Sequence, residues 1–157
     1  MEVIYLAGGC FWGVQAYFDK LECVIQSEVG YANSNIPNPS YEDVCRHRSS
    51  ASECVKLTHT NLLLVLRYFF KIIDPFTLNK QGNDKGSQYR TGIYSTNEET
   101  LVRIKDIVAS FQASYSRPFR VEILPLENFY KAEEYHQKYL EKNPTGYCHI
   151  NLDDTSL

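Results

Sequence analysis

The chain opens with a short apolar segment that stops at two glycines and a cysteine. Residues 3–7 have the composition of a buried strand, and Gly8 and Gly9 separate them from a helical pattern that begins at Cys10. The first turn of a helix leaves backbone N–H groups unpaired and carries about half a positive charge, which favours thiolate over thiol. We therefore predict that Cys10 ionises more readily than a free cysteine.

Position alone leaves two interpretations of Cys10. It is either a reactive thiol or an inert core residue behind the turn, since free cysteines are among the most buried residue types. Phe11 and Trp12, the chain's one tryptophan, follow it directly. Their rings would give a small apolar or sulfur-bearing group a surface to bind.

Composition limits the partners that this chain can have. Its 157 residues, 43% hydrophobic and 22% charged, predict one folded domain rather than a disordered or fibrous chain. A net charge of −3 without a long basic run gives no sign of a nucleic-acid or membrane partner. The N-terminus lacks the basic and long apolar regions of a signal peptide, so we expect a cytoplasmic protein.

The cysteines favour thiol chemistry over a structural role. There are five of them, an odd number, with no C-x-x-C pair and no Cys/His spacing of the zinc type. Neither a disulfide scaffold nor a metal site fits this pattern. We expect Cys23, Cys45 and Cys54 to be small packing residues.

Hydrophobic periodicity predicts the order strand, helix, strand, strand, helix, strand, with further helices and a fifth strand. This is the order of a ferredoxin-like split βαβ unit, so we predict a two-layer α+β core with additional helices and long ordered loops. We expect residues 1–157 to form a single catalytic domain with a tail from about residue 144. The predicted strands are 3–7, 24–31, 53–59, 89–95 and 120–126, and the predicted helices are 10–21, 62–73, one that follows a Thr96/Glu99 capping box, and 129–143.

The strand at residues 53–59 offers a candidate acid. Its alternation turns Glu53 to the same side as Val55 and Leu57, and a carboxyl on an apolar face has a pKa raised by desolvation. Glu53 could then donate a proton near neutral pH. The alternative is a strand-end residue that reaches water, because glutamate is rarely fully buried.

Six motifs, spread from residue 8 to about residue 150, closely resemble those of peptide methionine sulfoxide reductases of the A type. They are Gly9-Cys10-Phe11-Trp12-Gly13, Gly30-Tyr31, Tyr41-x-x-Val44-Cys45, Gln81-Gly82-Asn83-Asp84-x-Gly86-x-Gln88-Tyr89-Arg90, Tyr135-His136-Gln137-x-Tyr139-Leu140 and Asn143-Pro144-x-Gly146-Tyr147-Cys148. The resemblance implies an enzyme that reduces the S epimer of methionine sulfoxide, free or in proteins.

The resemblance also implies a division of roles among the cysteines. Cys10 would attack the sulfoxide sulfur and be left as a sulfenic acid, with Glu53 protonating the departing oxygen. Cys148 would then form a disulfide with Cys10, which thioredoxin would reduce as the external reductant, with no bound cofactor and no metal. We expect the Pro-Gly neighbourhood of Cys148 to be mobile enough for this step.

By motif position, five further residues would bind substrate. Phe11 and Trp12 would hold the terminal methyl group, in keeping with sulfur–aromatic attraction. Tyr41, Asp84 and Tyr89 would bind the sulfoxide oxygen and orient the site.

One departure from the family pattern concerns the acid. The family has Gly-His-Ala-Glu, whereas this chain has Ser50-Ala51-Ser52-Glu53, which leaves the hydrogen bonding around Glu53 open.

Two other function classes stay open at this point. One is a Cys-His acyl-transfer enzyme, with His59 or His136 as the base for Cys10. The other is a redox sensor without turnover, in which Cys10 and Cys148 form a switch. For His136 we favour a hydrogen-bonded core residue over a base.

Overall fold

A six-stranded sheet with helices against it forms the centre of the computed structural model, which describes residues 1–157. The strands are β1 (Glu2–Ala7), β2 (Val24–Ala32), β3 (Ser52–His59), β4 (Lys80–Gln81), β5 (Asp84–Lys85), β6 (Gly92–Ser95), β7 (Glu122–Pro125) and β8 (Phe129–Lys131). The helices are α1 (Phe11–Phe18), α2 (Tyr41–Cys45), α3 (Leu62–Ile72), α4 (Glu98–Gln112) and α5 (Tyr139–Lys142).

The order of strands in the main sheet is β7-β6-β1-β3-β2-β8. Its central four strands, β6-β1-β3-β2, are antiparallel to one another, and β1, β2, β3 and β6 are linked in the order of a split βαβ unit. The predicted ferredoxin-like core is therefore confirmed. To this core β7 adds parallel to β6, and β8 adds antiparallel to β2.

Alternate residues of the strands supply two different apolar clusters. Val55 and Leu57 of β3 belong to the main core of 24 buried residues, together with residues of α1, α3 and α4. Cys54, which directly precedes Val55, belongs to a small cluster on the other face with Tyr5 and Tyr94. Because side chains alternate along a strand, the helices cover one face of the sheet, which gives the predicted two-layer arrangement.

The short α2 begins with a capping box, in which Ser40 and Asp43 satisfy each other's backbone N–H groups. It provides one helical turn within the long loop between β2 and β3. At α4 the prediction of a Thr96/Glu99 capping box is wrong. The cap is Asn97, whose side chain accepts a hydrogen bond from the N–H of Thr100.

The predicted helix at 129–143 is also wrong. Phe129–Lys131 instead pairs with the edge of β2 as β8, a 3₁₀ turn follows at Glu134–His136, and only Tyr139–Lys142 is α-helical. The apolar residues of this segment recur at helical spacing, but residues 129–131 pair instead with Gly30, Tyr31 and Ala32 of β2. Lys138 has a φ of 54°, a left-handed conformation that interrupts any continuous helix.

Two strand predictions need new boundaries. The strand predicted at 89–95 begins only at Gly92, because Ser87–Tyr89 form a 3₁₀ turn. The strand predicted at 120–126 is shorter, Glu122–Pro125. None of the helices has both the length and the apolar character needed to cross a bilayer.

The side-chain amide of Gln137 makes hydrogen bonds to the backbone of β2 like those of a neighbouring strand. Its Oε1 accepts from the N–H of Val29 at 3.0 Å, and its Nε2 donates to the carbonyl oxygens of Val29 at 2.8 Å and Ala132 at 3.1 Å. These groups are buried, so the amide satisfies backbone atoms that water does not reach. It thereby fixes the segment between β8 and α5 against the sheet.

We predict that Gln137→Leu lowers the free energy of unfolding by about 2 kcal/mol or more, because it leaves the buried N–H of Val29 without an acceptor. Urea denaturation followed by circular dichroism measures this. Gln26→Leu is the control, because Gln26 is an exposed residue of β2, the strand that contains Val29. It should change the free energy of unfolding by less than about 0.5 kcal/mol. Equal midpoints for the two variants would contradict this role of Gln137.

Candidate active site

The candidate nucleophile lies where β1 ends and α1 begins. Gly9 makes this turn possible, because its φ of +84° is a conformation that side chains rarely adopt. Cys10 is the N-cap residue of α1, and its side chain makes no cap hydrogen bond. The residue is 8% exposed, so the thiol lies almost entirely within the protein.

The prediction that Cys10 ionises readily is wrong for this state of the protein. Burial and the nearby charge of Glu53 raise the pKa of Cys10, whereas the backbone N–H of Trp12 lowers it less strongly. The removal of water from the thiol thus outweighs the charge of the helix end. Cys10 is a neutral thiol at neutral pH, and its reaction needs a nearby group to accept the thiol proton.

Glu53 can be that partner once it has given up its own proton. It lies near the start of β3, is 2% exposed, and accepts a hydrogen bond at Oε1 from the N–H of Phe11 at 3.3 Å. Burial raises the pKa of Glu53 to about 8; the Phe11 N–H lowers it and the charge of Asp84 adds to the rise. The predicted burial of Glu53 is confirmed, its raised pKa favours a protonated carboxyl, and the alternative of a residue that reaches water is excluded.

From the sequence, the unusual residues before Glu53 left the hydrogen bonding of its carboxyl open. Ser52 does not bind the carboxyl, since its hydroxyl lies 3.4 Å from that of Tyr94. Oε2 of Glu53 is buried and has no hydrogen-bond partner. One oxygen of the carboxyl is therefore fixed by the backbone beside Cys10, and the other is free to exchange a proton.

The two aromatic residues after Cys10 are placed differently. Phe11 is buried in the main core, whereas Trp12 is only partly buried. The indole of Trp12 stacks on Tyr139 with the ring centroids 3.7 Å apart, and its Nε1 donates to Nδ1 of His136 at 2.9 Å. Trp12 therefore has a fixed orientation beside the nucleophile.

The prediction of a hydrogen-bonded core histidine at position 136 is confirmed, although the residue lies in a 3₁₀ turn and not in a helix. His136 is fully buried, its Nδ1 accepts from Trp12, and burial lowers its pKa. Neither His136 nor His59 forms a hydrogen bond with Cys10, and His59 pairs with Glu2 at the opposite end of β1. The acyl-transfer alternative therefore lacks its base at both predicted positions.

Tyr41 and Tyr89 lie near the carboxyl of Glu53. For both tyrosines burial is the main cause of a raised pKa, and the charge of Glu53 adds to it. Their hydroxyls therefore stay protonated and can donate hydrogen bonds. The charge of Asp84, a residue of β5, contributes to the raised pKa values of Cys10, Glu53 and Tyr89. Asp84 therefore lies near these three residues.

A residue that the sequence did not indicate holds part of this arrangement together. Glu133 accepts at Oε2 from the N–H of Tyr41 at 2.9 Å and at Oε1 from the hydroxyl of Tyr31 at 2.8 Å. It therefore ties the start of α2 to β2. The erroneous helix prediction for residues 129–143 concealed it, since a glutamate on a helix ordinarily faces water.

Cys148 lies against the start of α1. A Cβ atom on Gly13 would be only 2.9 Å from the Cys148 Sγ, so the absence of a side chain at position 13 leaves room for the thiol. Cys148 and Trp12 line the same cleft of about 360 Å³. All five cysteines are free, so this is the fully reduced protein.

The tail that carries Cys148 is attached along its length. Lys20 donates to the carbonyl oxygen of Leu152 at 3.1 Å, and the hydroxyl of Tyr17 donates to that of Asp154 at 2.7 Å. Ile150 belongs to the main core. The expected mobility around Cys148 would therefore have to arise between Pro144 and Cys148, before the anchored part. No three His, Cys, Asp or Glu side chains form a group that could hold a metal ion.

A family model described as peptide methionine sulfoxide reductase matches residues 2–156. The chain belongs to this family. A relative from Malacoplasma penetrans named peptide methionine sulfoxide reductase MsrA is 50% identical over 156 residues, which cover 97% of this chain and 98% of the relative.

Solved structures agree with this family membership. Reduced Mxr1 from Saccharomyces cerevisiae has a TM-score of 0.88 and 36% identity, over 96% of this chain and 91% of that one. Mxr1 in complex with Trx2 has a TM-score of 0.61 and 25% identity, over 88% of this chain and 84% of that one. The chain thus has the overall structure of reduced Mxr1.

The raised pKa of Glu53 predicts how stability depends on pH. Between 4.5, the ordinary value, and about 8, the folded protein holds a proton that the unfolded chain has lost, so stability falls as pH rises through this window. Glu53→Gln removes the effect. The variant should gain stability over the wild type by a few kcal/mol between pH 5 and about pH 8, with no further gain above that.

Urea titrations at several pH values test this, with Glu22→Gln, an exposed carboxyl, as the control. A constant difference between Glu53→Gln and the wild type across the window would show that Glu53 is ionised in the folded protein.

Proposed function

We propose that this chain reduces the S epimer of methionine sulfoxide to methionine, free or in proteins, with Cys10 as nucleophile and Glu53 as proton donor. The observation that carries this proposal is a buried, protonated carboxyl hydrogen-bonded to the N–H of Phe11, the residue next to the candidate nucleophile. Membership of the reductase family supplies the substrate class.

In the first step the Cys10 sulfur attacks the sulfoxide sulfur while the Glu53 carboxyl gives its proton to the sulfoxide oxygen. The Glu53 carboxylate formed in this way can take the thiol proton of Cys10. The protonated oxygen then passes to Cys10 as the substrate S–O bond and the bond between the two sulfurs break, so Cys10 is oxidised by two electrons to a sulfenic acid and the substrate leaves as the thioether. The Glu53 carboxyl thus acts first as an acid and then as a base. This explains why Glu53 and Cys10 are both neutral before the reaction.

The remaining residues bind the substrate in this proposal. Neutral hydroxyls of Tyr41 and Tyr89 donate to the sulfoxide oxygen, and Asp84 orients the site from β5. Trp12 offers its partly exposed ring to the terminal methyl group, whereas Phe11 lies within the core. The bonds that hold Trp12 in place keep this surface ready before substrate arrives.

In the second step Cys148 attacks the sulfenic acid and gives a Cys10–Cys148 disulfide, which an external dithiol such as thioredoxin reduces by exchange. The solved complex of Mxr1 with Trx2 supports a thioredoxin as this partner. Two electrons per turnover come from that dithiol, so the chain needs no bound cofactor. We place the reaction in the cytoplasm, where thiols are kept reduced, and assign it to residues 1–157 as a single catalytic domain.

The first prediction concerns the epimers and the nucleophile. With dithiothreitol the wild type should convert the S epimer to methionine and leave the R epimer unchanged, and Cys10→Ser should release no methionine, because a hydroxyl is a far weaker nucleophile. Chromatography of the products from each pure epimer measures this. Cys23→Ser, a buried cysteine outside the site, is the control and should stay active. Methionine release by Cys10→Ser would disprove the assignment.

The second prediction separates sulfoxide cleavage from recycling and also tests the redox-sensor alternative. Cys148→Ser should release one methionine per enzyme in a burst and then lose turnover with thioredoxin, because no disulfide forms for thioredoxin to attack. Dithiothreitol should restore part of the turnover by reducing the sulfenic acid directly. Rapid-quench kinetics and mass spectrometry of the oxidised enzyme provide the measurement. A sensor without enzymatic function would show a disulfide in the wild type and no turnover with either reductant.

A further inference from the structure

The residue after Cys148 is a buried histidine that has no part in the chemistry described so far. The side chain of His149 is 5% exposed and lies between the turn before α1 and the hairpin of β4 and β5. A Cβ atom on Gly9 would be 2.8 Å from its Nε2, and one on Gly82 would be 3.6 Å from its Cβ. The ring therefore occupies the space beside the loop that carries Cys10.

The hydrogen bonds of His149 determine its tautomer. Its Nε2 lies 3.0 Å from the carbonyl oxygen of Gly8, and a carbonyl can only accept, so Nε2 carries the proton. In the neutral ring Nδ1 is then left with a lone pair. This atom is buried and has no hydrogen-bond partner.

Two groups lie close to Nδ1. Oδ2 of Asp84 is 3.8 Å away and is itself buried without a partner. A Cβ atom placed on Gly13 would lie 2.9 Å from Sγ of Cys148 and 3.5 Å from Nδ1 of His149, so both atoms border the same space above Gly13. The Cys148 thiol itself donates to the carbonyl oxygen of Ile150 at 3.3 Å. An unpaired nitrogen base, a carboxyl group and the candidate resolving thiol therefore border one small space, without a hydrogen bond between the thiol and Nδ1.

We propose that His149 is the general base of the disulfide-forming step, which takes the thiol proton of Cys148 onto Nδ1 while Asp84 stabilises the imidazolium. The proposal rests on the proposed function, because it requires a sulfenic acid on Cys10. The Cys148 sulfur then forms the S–S bond, the S–O bond of Cys10 breaks, and the leaving hydroxide takes the proton from His149 and departs as water. Atoms and electrons balance without another reactant.

The protonation state of Cys148 makes a base necessary, and that of His149 provides one. Burial raises the pKa of Cys148, and the charge of Asp84 adds to the rise, so the group is a thiol at neutral pH although the thiolate is the nucleophile. Burial lowers the pKa of His149, which keeps its Nδ1 free to accept a proton.

The other charged and titratable groups around His149 do not provide a rival base. Burial and the charge of Asp84 raise the pKa of Tyr147, so its hydroxyl keeps its proton. On the side of α3, Lys71 forms an ion pair with Asp154 at 3.0 Å. His149 is thus the neutral acceptor that remains beside Cys148.

The test compares His149→Gln with His149→Ala. A glutamine amide can still donate to the carbonyl oxygen of Gly8 but has no basic nitrogen, whereas alanine loses both functions. His47→Asn is the control, because His47 is exposed and has a φ of 58°, which asparagine tolerates. One equivalent of the S epimer is added without reductant, and methionine release and thiol loss are followed by rapid quench.

We expect His149→Gln to give one methionine per enzyme and to slow disulfide formation about a hundredfold more than methionine release at pH 7. Above pH 7 the rate of disulfide formation in His149→Gln should rise about tenfold per pH unit, because Cys148 then ionises by itself. The rate of disulfide formation in the wild type should not change over the same range. The methionine burst shows that the variant is folded.

Two results would overturn the proposal. Disulfide formation by His149→Gln at the wild-type rate and with the wild-type pH profile would show that no base is needed. If disulfide formation is normal in His149→Gln but slow in His149→Ala, His149 acts through its hydrogen bond to Gly8 and not as a base. If the wild type itself releases no methionine, the proposed function fails, and that result differs from both of these.

Discussion

The exclusion of water from the end of β1 is the constraint on which the rest of this site depends. Cys10, Glu53 and His149 all lie there within the protein, and for each of them burial is the largest cause of the pKa change. A thiol and a carboxyl that would be partly or fully ionised in water are both neutral in this environment. The proposed chemistry uses this neutral pair, because the reaction must deliver a proton to an oxygen while it removes one from sulfur.

Burial of so many polar groups requires the backbone around them to be well fixed. Glu133 and Gln137 supply this by hydrogen-bonding to the main chain of three separate segments, α2, β2 and the turn after β8. His136 and Tyr139, from the same segment, hold the indole of Trp12. One irregular stretch of chain thus supports most of the candidate site, and its lack of continuous helix lets successive side chains point to different elements.

Particular residues show how far prediction from sequence reached. The alternation of Glu53 with Val55 and Leu57 was enough to predict a buried, neutral carboxyl, because burial of a strand face depends on local pattern. The order of strands and helices was enough to predict the split βαβ core. The helix predicted at 129–143 failed because residues 129–131 pair with the edge of β2, and no local pattern reports whether a sheet edge elsewhere in the chain is free.

The sequence by itself determined the family, the strand-glycine-cysteine-helix turn that presents Cys10, and the residue types that a thiol reductase needs, since these follow from local order along the chain. Only the tertiary structure decided the protonation states. A helix N-terminus predicted a thiolate at Cys10, but the folded chain removes water from the thiol and brings Glu53 and Asp84 near it, and both effects raise its pKa. The placement of His149 beside Asp84 and near Cys148 likewise exists only because the tail folds back over α1, so that groups more than sixty residues apart border one buried space.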